Sequence, residues 1–313
     1  MNDLNAHNVL VIVGPTAVGK TEISIKTAEI IKGEVVSADS RQLYRYMDIG
    51  TAKPSTEELN RVPHHFIGYC NPDQYFSAGE YAREARACIQ DIQNRGKYAL
   101  VTGGAGFYIQ ALVDGLFAPA HSDRQIKEKW QQKIQKQGRK QVFESLKHID
   151  PETAAKLHPN DTQRIVRALE VYELTGTPIS AYRNQTADPA EFKAIFIGLH
   201  RKRENLYARI EKRIDCMLEQ GLVDEVSRLK EMGYTSDMNA LCTVGYKEVF
   251  DYLENKFSYE QMVEKIKINS RRYAKRQMTW FRKDKRIEWI ELDEIPIADA
   301  IQMILNRLHH WKG

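Results

Sequence analysis

Residues 9–13 form an unbroken apolar run, VLVIV, and from residue 20 the chain switches to apolar residues at helical spacing, KTEISIKTAEIIK over 20–32. The first pattern predicts a strand covered on both faces, and the second an amphipathic helix with Gly33 as its C-terminal cap. Further strands are predicted over 34–38 (EVVSA), 97–102 (KYALVT) and 194–199 (AIFIGL), with a helix over 77–95 between the second and third strands. Strands alternating with helices predict a parallel sheet with helices on both faces. Residues 119–186 break the alternation: they are polar, rich in Lys and Gln and without a strand period, and read as a helical insertion between two sheet strands. From 203 onward the pattern is almost wholly helical. No internal repeat or low-complexity tract interrupts the chain.

The joint between the first strand and the first helix carries the strongest chemical signal. Gly14-Pro15-Thr16-Ala17-Val18-Gly19-Lys20-Thr21 is the Gly-x4-Gly-Lys-Ser/Thr pattern of a phosphate-binding loop. Its glycines let successive N–H groups converge on phosphate oxygens. The helix adds its positive end, Lys20 a point charge, and Thr21 a hydroxyl for Mg²⁺. The expected fold class is therefore α/β, a P-loop NTPase-like parallel sheet over 1–118 and 187–313 with a helical C-terminal part, plus the helical insertion at 119–186. Asp39 ends the second predicted strand, on the side where open α/β sheets bind ligands. It can accept a proton, hold Mg²⁺ through water, or simply form a turn. The third predicted strand ends Val101-Thr102-Gly103-Gly104, without the strand-end Asp of ATP-hydrolysing relatives, which points away from a motor or switch and toward a transferase.

Three helical segments carry cations. In RENLYARIEKRIDCML, Leu206, Ile210, Ile214 and Met217 form an apolar stripe. Arg213 falls within about 20° of Leu206 at 100° per residue. A cation there needs a partner, either a buried acid or a phosphate. The helix over 160–175 has its N-cap at Asn160 or Asp161 and a buried face of Ile165, Leu169 and Tyr172, with Gln163, Arg164 and Arg167 on its first turns. Segment 265–286 holds ten Lys or Arg against one acid, with Tyr273, Trp280 and Phe281 interleaved. Cations with aromatics have the composition of a nucleic-acid surface, where a charge run alone would be a solvated face. The pairs His64-His65 and His309-His310 are poor metal ligands, since neighbours on a regular element point apart.

Bulk properties narrow the class. Over 313 residues the chain is 42% hydrophobic and 28% charged, an ordinary soluble profile, and its net charge of +4 is unevenly spread. No run approaches the about 20 apolar residues of a membrane span. The polar start MNDLNAHN predicts no secretion signal, and the scattered Cys70, Cys88, Cys216 and Cys242 predict free thiols in a reducing cytoplasm. Residue by residue, a transferase, a small-molecule kinase with the insertion as a lid, and a non-catalytic RNA-binding module all remain open.

Taken together, several stretches resemble the tRNA dimethylallyltransferase (isopentenyltransferase) family. They are GPTAVGKT at 14–21, SADSRQLYRYMDIGTAKP at 37–54, VPHH at 62–65, VTGGAGFY at 101–108, LHPNDTQRIVRALEVYELTG at 157–176, TVGYKE at 243–248 and YAKRQMTWFRK at 273–283. One departure is Gly103-Gly104-Ala105, where the family usually has Gly-Gly-Thr, so no role is assigned to position 105. The resemblance implies transfer of a dimethylallyl group from dimethylallyl diphosphate to the exocyclic amine of the adenine 3′ to the anticodon. Lys20, Thr21 with Mg²⁺, and Arg213 would serve the diphosphate, and Asp39 would be the base. It also implies that Asp39, Ser40, Arg41 and Gln42, then Gln163, Arg164, Ile165, Val166 and Arg167, then Lys275, Arg276 and Gln277 hold the tRNA anticodon stem-loop. The expected protein is a cytoplasmic monomer with no membrane partner.

Overall fold

The computed structural model describes residues 8–116, 123–182 and 188–310. Strand β1 (Asn8–Val13) leads into α1 (Lys20–Ile31), followed by β2 (Gly33–Ser37), α2 (Thr56–Arg61), a two-residue β3 (His64–His65), α3 (Ala78–Asn94), β4 (Tyr98–Gly103) and α4 (Gly106–Asp114). Next come α5 (Arg124–Gln137), α6 (Arg139–Ile149), α7 (Pro151–Lys156), α8 (Thr162–Thr175) and α9 (Ile179–Tyr182). The chain returns to the sheet with β5 (Lys193–His200), then α10 (Arg203–Glu219), α11 (Leu222–Glu231), α12 (Tyr246–Leu253), α13 (Tyr259–Phe281), β6 (Glu288–Glu291) and α14 (Ile297–His310).

The strands form one sheet in the order β3-β2-β4-β1-β5-β6, and each neighbouring pair is parallel. β1 lies between β4 and β5, with Leu10 opposite both Leu100 and Ile195, and all six of its residues are buried. A central strand covered on both faces has no polar side to show, which is why it reads as a continuous apolar run. Because β4 sits between β1 and β2, the carboxyl ends of all three strands lie side by side. The phosphate loop, Ala38-Asp39 and Gly103-Gly104 are thereby gathered at one edge. Ala105 N–H donates to the Ala38 carbonyl at 3.1 Å and Ala38 N–H to that of Thr102 at 2.7 Å, which tightens this edge.

Two short strands escape the sequence patterns. β3 has two residues, and β6 reads EWIE, one turn of alternation in a stretch expected to be helical. Both are edge strands whose identity comes from pairing with β2 and β5. Gly33 is not the cap of α1. Lys32 takes the left-handed conformation (φ 52°), and its N–H bonds back to Ala28 and Glu29. Gly33 instead opens β2, where a Cβ would lie 2.8 Å from the Tyr98 carbonyl oxygen.

The chain divides into two compact units. One takes in residues 1–76, 84–109 and 191–313, and contains the sheet; the other takes in 77–83 and 110–190. The second unit has its own core, with Trp130, Val142, Phe143, Leu146, Ile165 and Leu169 at its centre. Asp150 is buried there and accepts from the Thr153 N–H and hydroxyl and from the Ser180 N–H. Burial pushes its pKa up, but these hydrogen bonds outweigh burial and hold the carboxyl below its ordinary range. Asp161 is the N-cap of α8, and Tyr172, expected inside, is 37% exposed. α8 packs against α5, α6 and α9 together, so its buried surface wraps beyond one stripe and Val171 takes the inward position at the last turn.

Candidate active site

The site is built around the loop between β1 and α1. Gly14 (φ 154°) passes so close to β5 that a Cβ would lie 2.6 Å from the Leu199 carbonyl oxygen. Ala17 holds a left-handed conformation (φ 63°) that non-glycine residues rarely adopt. Side chains from distant segments fix this curl. Lys20 Nζ donates to the Gly14 and Pro15 carbonyls at 2.9 and 2.8 Å. Arg209 Nε donates to the Ala17 carbonyl at 2.9 Å, and Arg201 Nε to that of Val18 at 3.0 Å. Arg201 is itself held by Asp293 at 2.7 Å. Thr16 N–H donates to Gln277 Oε1 at 2.9 Å.

Arg213 Nη1 donates to Thr16 Oγ1 at 3.5 Å, and among the described residues it makes no ion pair. Of the two partners its apolar stripe allowed, a buried acid is therefore excluded. Burial, then the nearby Arg209, lowers the Arg213 pKa from its ordinary value. Burial likewise pulls the Lys20 ammonium down to about 8; Asp39 opposes that shift and Arg213 adds to it. Asp39 Oδ1 accepts from the N–H groups of Arg41 and Gln42 at 2.8 and 3.3 Å. It thus forms the turn after β2 and also faces the cavity.

That cavity has a volume of about 320 Å³ and lies within the first unit. Lys20, Thr21, Asp39, Arg209 and Arg213 line it, together with the apolar Ile210, Ile214, Met217, Leu222 and Ile266. Tyr273 also lines it, with its hydroxyl pushed up to about 12 by burial. His64 also lines it and bonds through Nδ1 to the Val62 carbonyl, while His65 Nε2 pairs with the buried Glu34 at 2.8 Å. Hydrogen bonds from Arg95 chiefly hold Glu34 down at about 2. Among the described residues no three His, Cys, Asp or Glu gather as a metal site.

The segment after Asp39 serves the fold as much as any ligand. Ser40 is half-buried in the turn. Arg41 donates to the Asn239 carbonyl at 2.5 Å, and Gln42 Nε2 to those of Thr51 and Ala52 at 3.2 and 3.0 Å. The buried Glu225 carboxylate gathers the N–H groups of Asp48, Ile49 and Gly50 and the Tyr246 hydroxyl, which accounts for the Asp-Ile-Gly turn.

Other expected contacts divide between surface and core. On α8, Gln163 and Arg164 are exposed, and Arg167 is half-buried and paired with Glu170 at 2.8 Å. Ile165 and Val166 are buried in the core of the second unit, Ile165 as its helical spacing predicts, so neither presents an exposed side chain where the resemblance expects a tRNA contact. On α13, Lys275 and Arg276 are exposed, Arg276 lying over the Tyr273 ring at 5.7 Å. Trp280 is partly exposed, edge-on to Phe107. Ala274, Gln277 and Phe281, at helical spacing, make the inward face. Phe281 is therefore core, and Gln277 is buried against the phosphate loop rather than presented to RNA.

Sequence reasoning missed Arg201, Arg209 and the inward role of Gln277. Arg209 could have been found, since it lies one helical turn before Arg213 and so on the same face. Arg201 follows β5 and could have been weighed as a strand-end residue.

A model of the family described as IPP transferase matches residues 42–284 of this chain. A protein named tRNA dimethylallyltransferase 2 from Geotalea uraniireducens is 48% identical over 288 residues, which is 91% of this chain and 93% of that one. Among solved structures, a tRNA isopentenylpyrophosphate transferase from Bacillus halodurans is similar with a TM-score of 0.71 and 36% identity, covering 97% of each chain. A eukaryotic dimethylallyltransferase, described as acting on tRNA, is similar with a TM-score of 0.82 and 29% identity, over 96% of this chain and 79% of that one.

Proposed function

The chain belongs to the IPP transferase family, and from that premise we propose that it moves a dimethylallyl group from dimethylallyl diphosphate to the exocyclic amine of the tRNA adenine 3′ to the anticodon. The bond between the amine nitrogen and the allylic carbon forms. The bond from that carbon to the diphosphate oxygen breaks, a proton leaves the amine for a base, and diphosphate departs.

The observation that carries the reading is one cavity lined both by cations and by apolar side chains. Loop N–H groups recognise phosphate oxygens and are indifferent to what the phosphates carry. The choice of donor then falls to Ile210, Ile214 and Met217, which suit a short branched hydrocarbon. Lys20, the loop amides and Arg213 stabilise the charge that grows on the leaving diphosphate. Asp39 accepts the amine proton. Thr21 and Asp39 bring oxygen donors to the cavity wall, the donor type Mg²⁺ takes along with phosphate oxygens and waters. Held there, the ion would neutralise part of the diphosphate charge. The adenine must leave its stack to reach the cavity, at a cost of a few kcal/mol. Gln163, Arg164, Lys275 and Arg276 are exposed and of the right type to meet the anticodon stem-loop. No helix among the described residues is long and apolar enough to cross a membrane, and a cytoplasmic monomer suits the reading.

The test is to incubate the protein with unmodified tRNA and either radiolabelled dimethylallyl diphosphate or labelled ATP. Prenyl label in the RNA is expected. RNA-stimulated ATP turnover with no prenyl group in the RNA would overturn the reading in favour of a kinase.

A further inference from the structure

Gln277 stands beside Arg276 on α13, yet it is 7% exposed and its amide reaches two parts of the site. Oε1 accepts from the Thr16 N–H at 2.9 Å. Nε2 donates to the Gly104 carbonyl at 3.0 Å. Thr16 is the loop residue whose hydroxyl meets Arg213, and Gly104 follows the end of β4. The fit at Gly104 is tight, since a Cβ there would lie 2.2 Å from the Gln277 nitrogen. No atom of Gln277 needs to touch a reacting group for this arrangement to matter.

We propose that Gln277 is a positioning residue for the prenyl diphosphate. It holds the phosphate loop in its binding curl and ties that loop to the helix that carries Lys275 and Arg276. The proposal rests on the functional reading above for the identity of the donor. A primary amide meets both demands because it accepts at one atom and donates at the other. A carboxylate in its place still accepts from Thr16, but it faces the Gly104 carbonyl with no proton and adds negative charge beside the phosphates. A methionine keeps the length and makes neither bond.

Gln277→Met and Gln277→Glu are the variants to compare with the wild type. Circular dichroism and melting report folding. Calorimetry with inorganic diphosphate, without RNA, reports the phosphate site. Steady-state kinetics report KM for each substrate, and filter binding reports tRNA affinity. Gln277→Met is expected to weaken diphosphate affinity and raise the donor KM about ten- to hundredfold, the scale of losing buried hydrogen bonds, with kcat falling less. Its tRNA affinity should stay within about twofold of wild type, since the amide is buried. Gln277→Glu should lose more diphosphate affinity than Gln277→Met, and it keeps the Thr16 bond should the Met variant fold poorly. Wild-type diphosphate affinity and donor KM in a folded variant would overturn the proposal. So would loss of tRNA affinity at unchanged donor KM, which would make Gln277 an RNA contact. If the wild type bound diphosphate but transferred no prenyl group, the functional reading would fail while the calorimetry still decided the role of Gln277.

Discussion

The cations at the phosphate loop and those along α13 are held in different ways. Lys20, Arg209 and Arg213 bond to loop carbonyl and hydroxyl oxygens and make no ion pair among the described residues. They depress one another's pKa values, Arg209 acting on Arg213 and Arg213 on Lys20. On α13, inward-leaning cations are neutralised by α10: Lys267 pairs with Asp215 at 2.7 Å, and Arg271 pairs with Glu211. Lys275 and Arg276 stay in water. The first group is a cluster of partly desolvated, mutually repelling charge that a bound anion relieves, so it should act as a strong, local site. The second group acts through solvent, so its contribution should be graded and salt-dependent.

The largest effect should come from removing Asp39, the base proposed above. Asp39→Asn is expected to lower kcat by about two to four orders of magnitude, the usual worth of a general base, while tRNA binding holds. Near-normal turnover at saturating substrates would remove Asp39 from that role. Arg213→Ala should raise the donor KM about tenfold or more and leave tRNA affinity little changed, the scale of a charge-assisted contact. A destabilised variant with normal kinetics in its folded fraction would make Arg213 structural instead.

The pH dependence sharpens the contrast. Lys20 in the free protein loses its proton near pH 8, because burial disfavours the ammonium. Bound diphosphate favours the charged form, so the pKa is higher in the complex than in the free protein. Affinity is therefore greatest below about pH 8 and falls as pH rises through it, by up to about tenfold per unit. Calorimetry from pH 7 to 9.5 checks this, with Lys20→Arg, which stays charged, as the reference that carries only the ligand's own ionisation. If wild type and Lys20→Arg share one profile, Lys20 is not the titrating group. The smallest effect belongs to the solvated helix. Lys275→Gln with Arg276→Gln should make the slope of log tRNA affinity on log salt shallower by about one to two. An unchanged slope would move the RNA surface away from α13.

Legibility differed along the same lines. The loop between β1 and α1 was readable because the spacing of Gly14, Gly19, Lys20 and Thr21 marks the joint between a buried strand and a helix. β1 and β5 were readable because burial on both faces leaves an apolar run. Lys32 and Gly33 exchanged expected roles because the requirement at Gly33 comes from Tyr98 on a neighbouring strand, not from the helix end. On α13 and α8 the sequence shows which residues are charged but not which way the helix turns. Gln277 and Phe281 point inward, and Val166 is enclosed beside the expected Ile165 and Leu169, because of what packs around each helix. Arg201 and Arg209 were hidden for the same reason, since their acceptors are loop carbonyls distant in the chain.

The central claim is that the cavity joins a prenyl diphosphate to one particular adenine. It is tested most directly by nucleoside mass spectrometry of an anticodon stem-loop incubated with the protein, Mg²⁺ and dimethylallyl diphosphate. The account predicts a dimethylallyl group on the adenine 3′ to the anticodon and none when that adenine is replaced by guanine. An RNA left unmodified, or modified equally after the replacement, would contradict it.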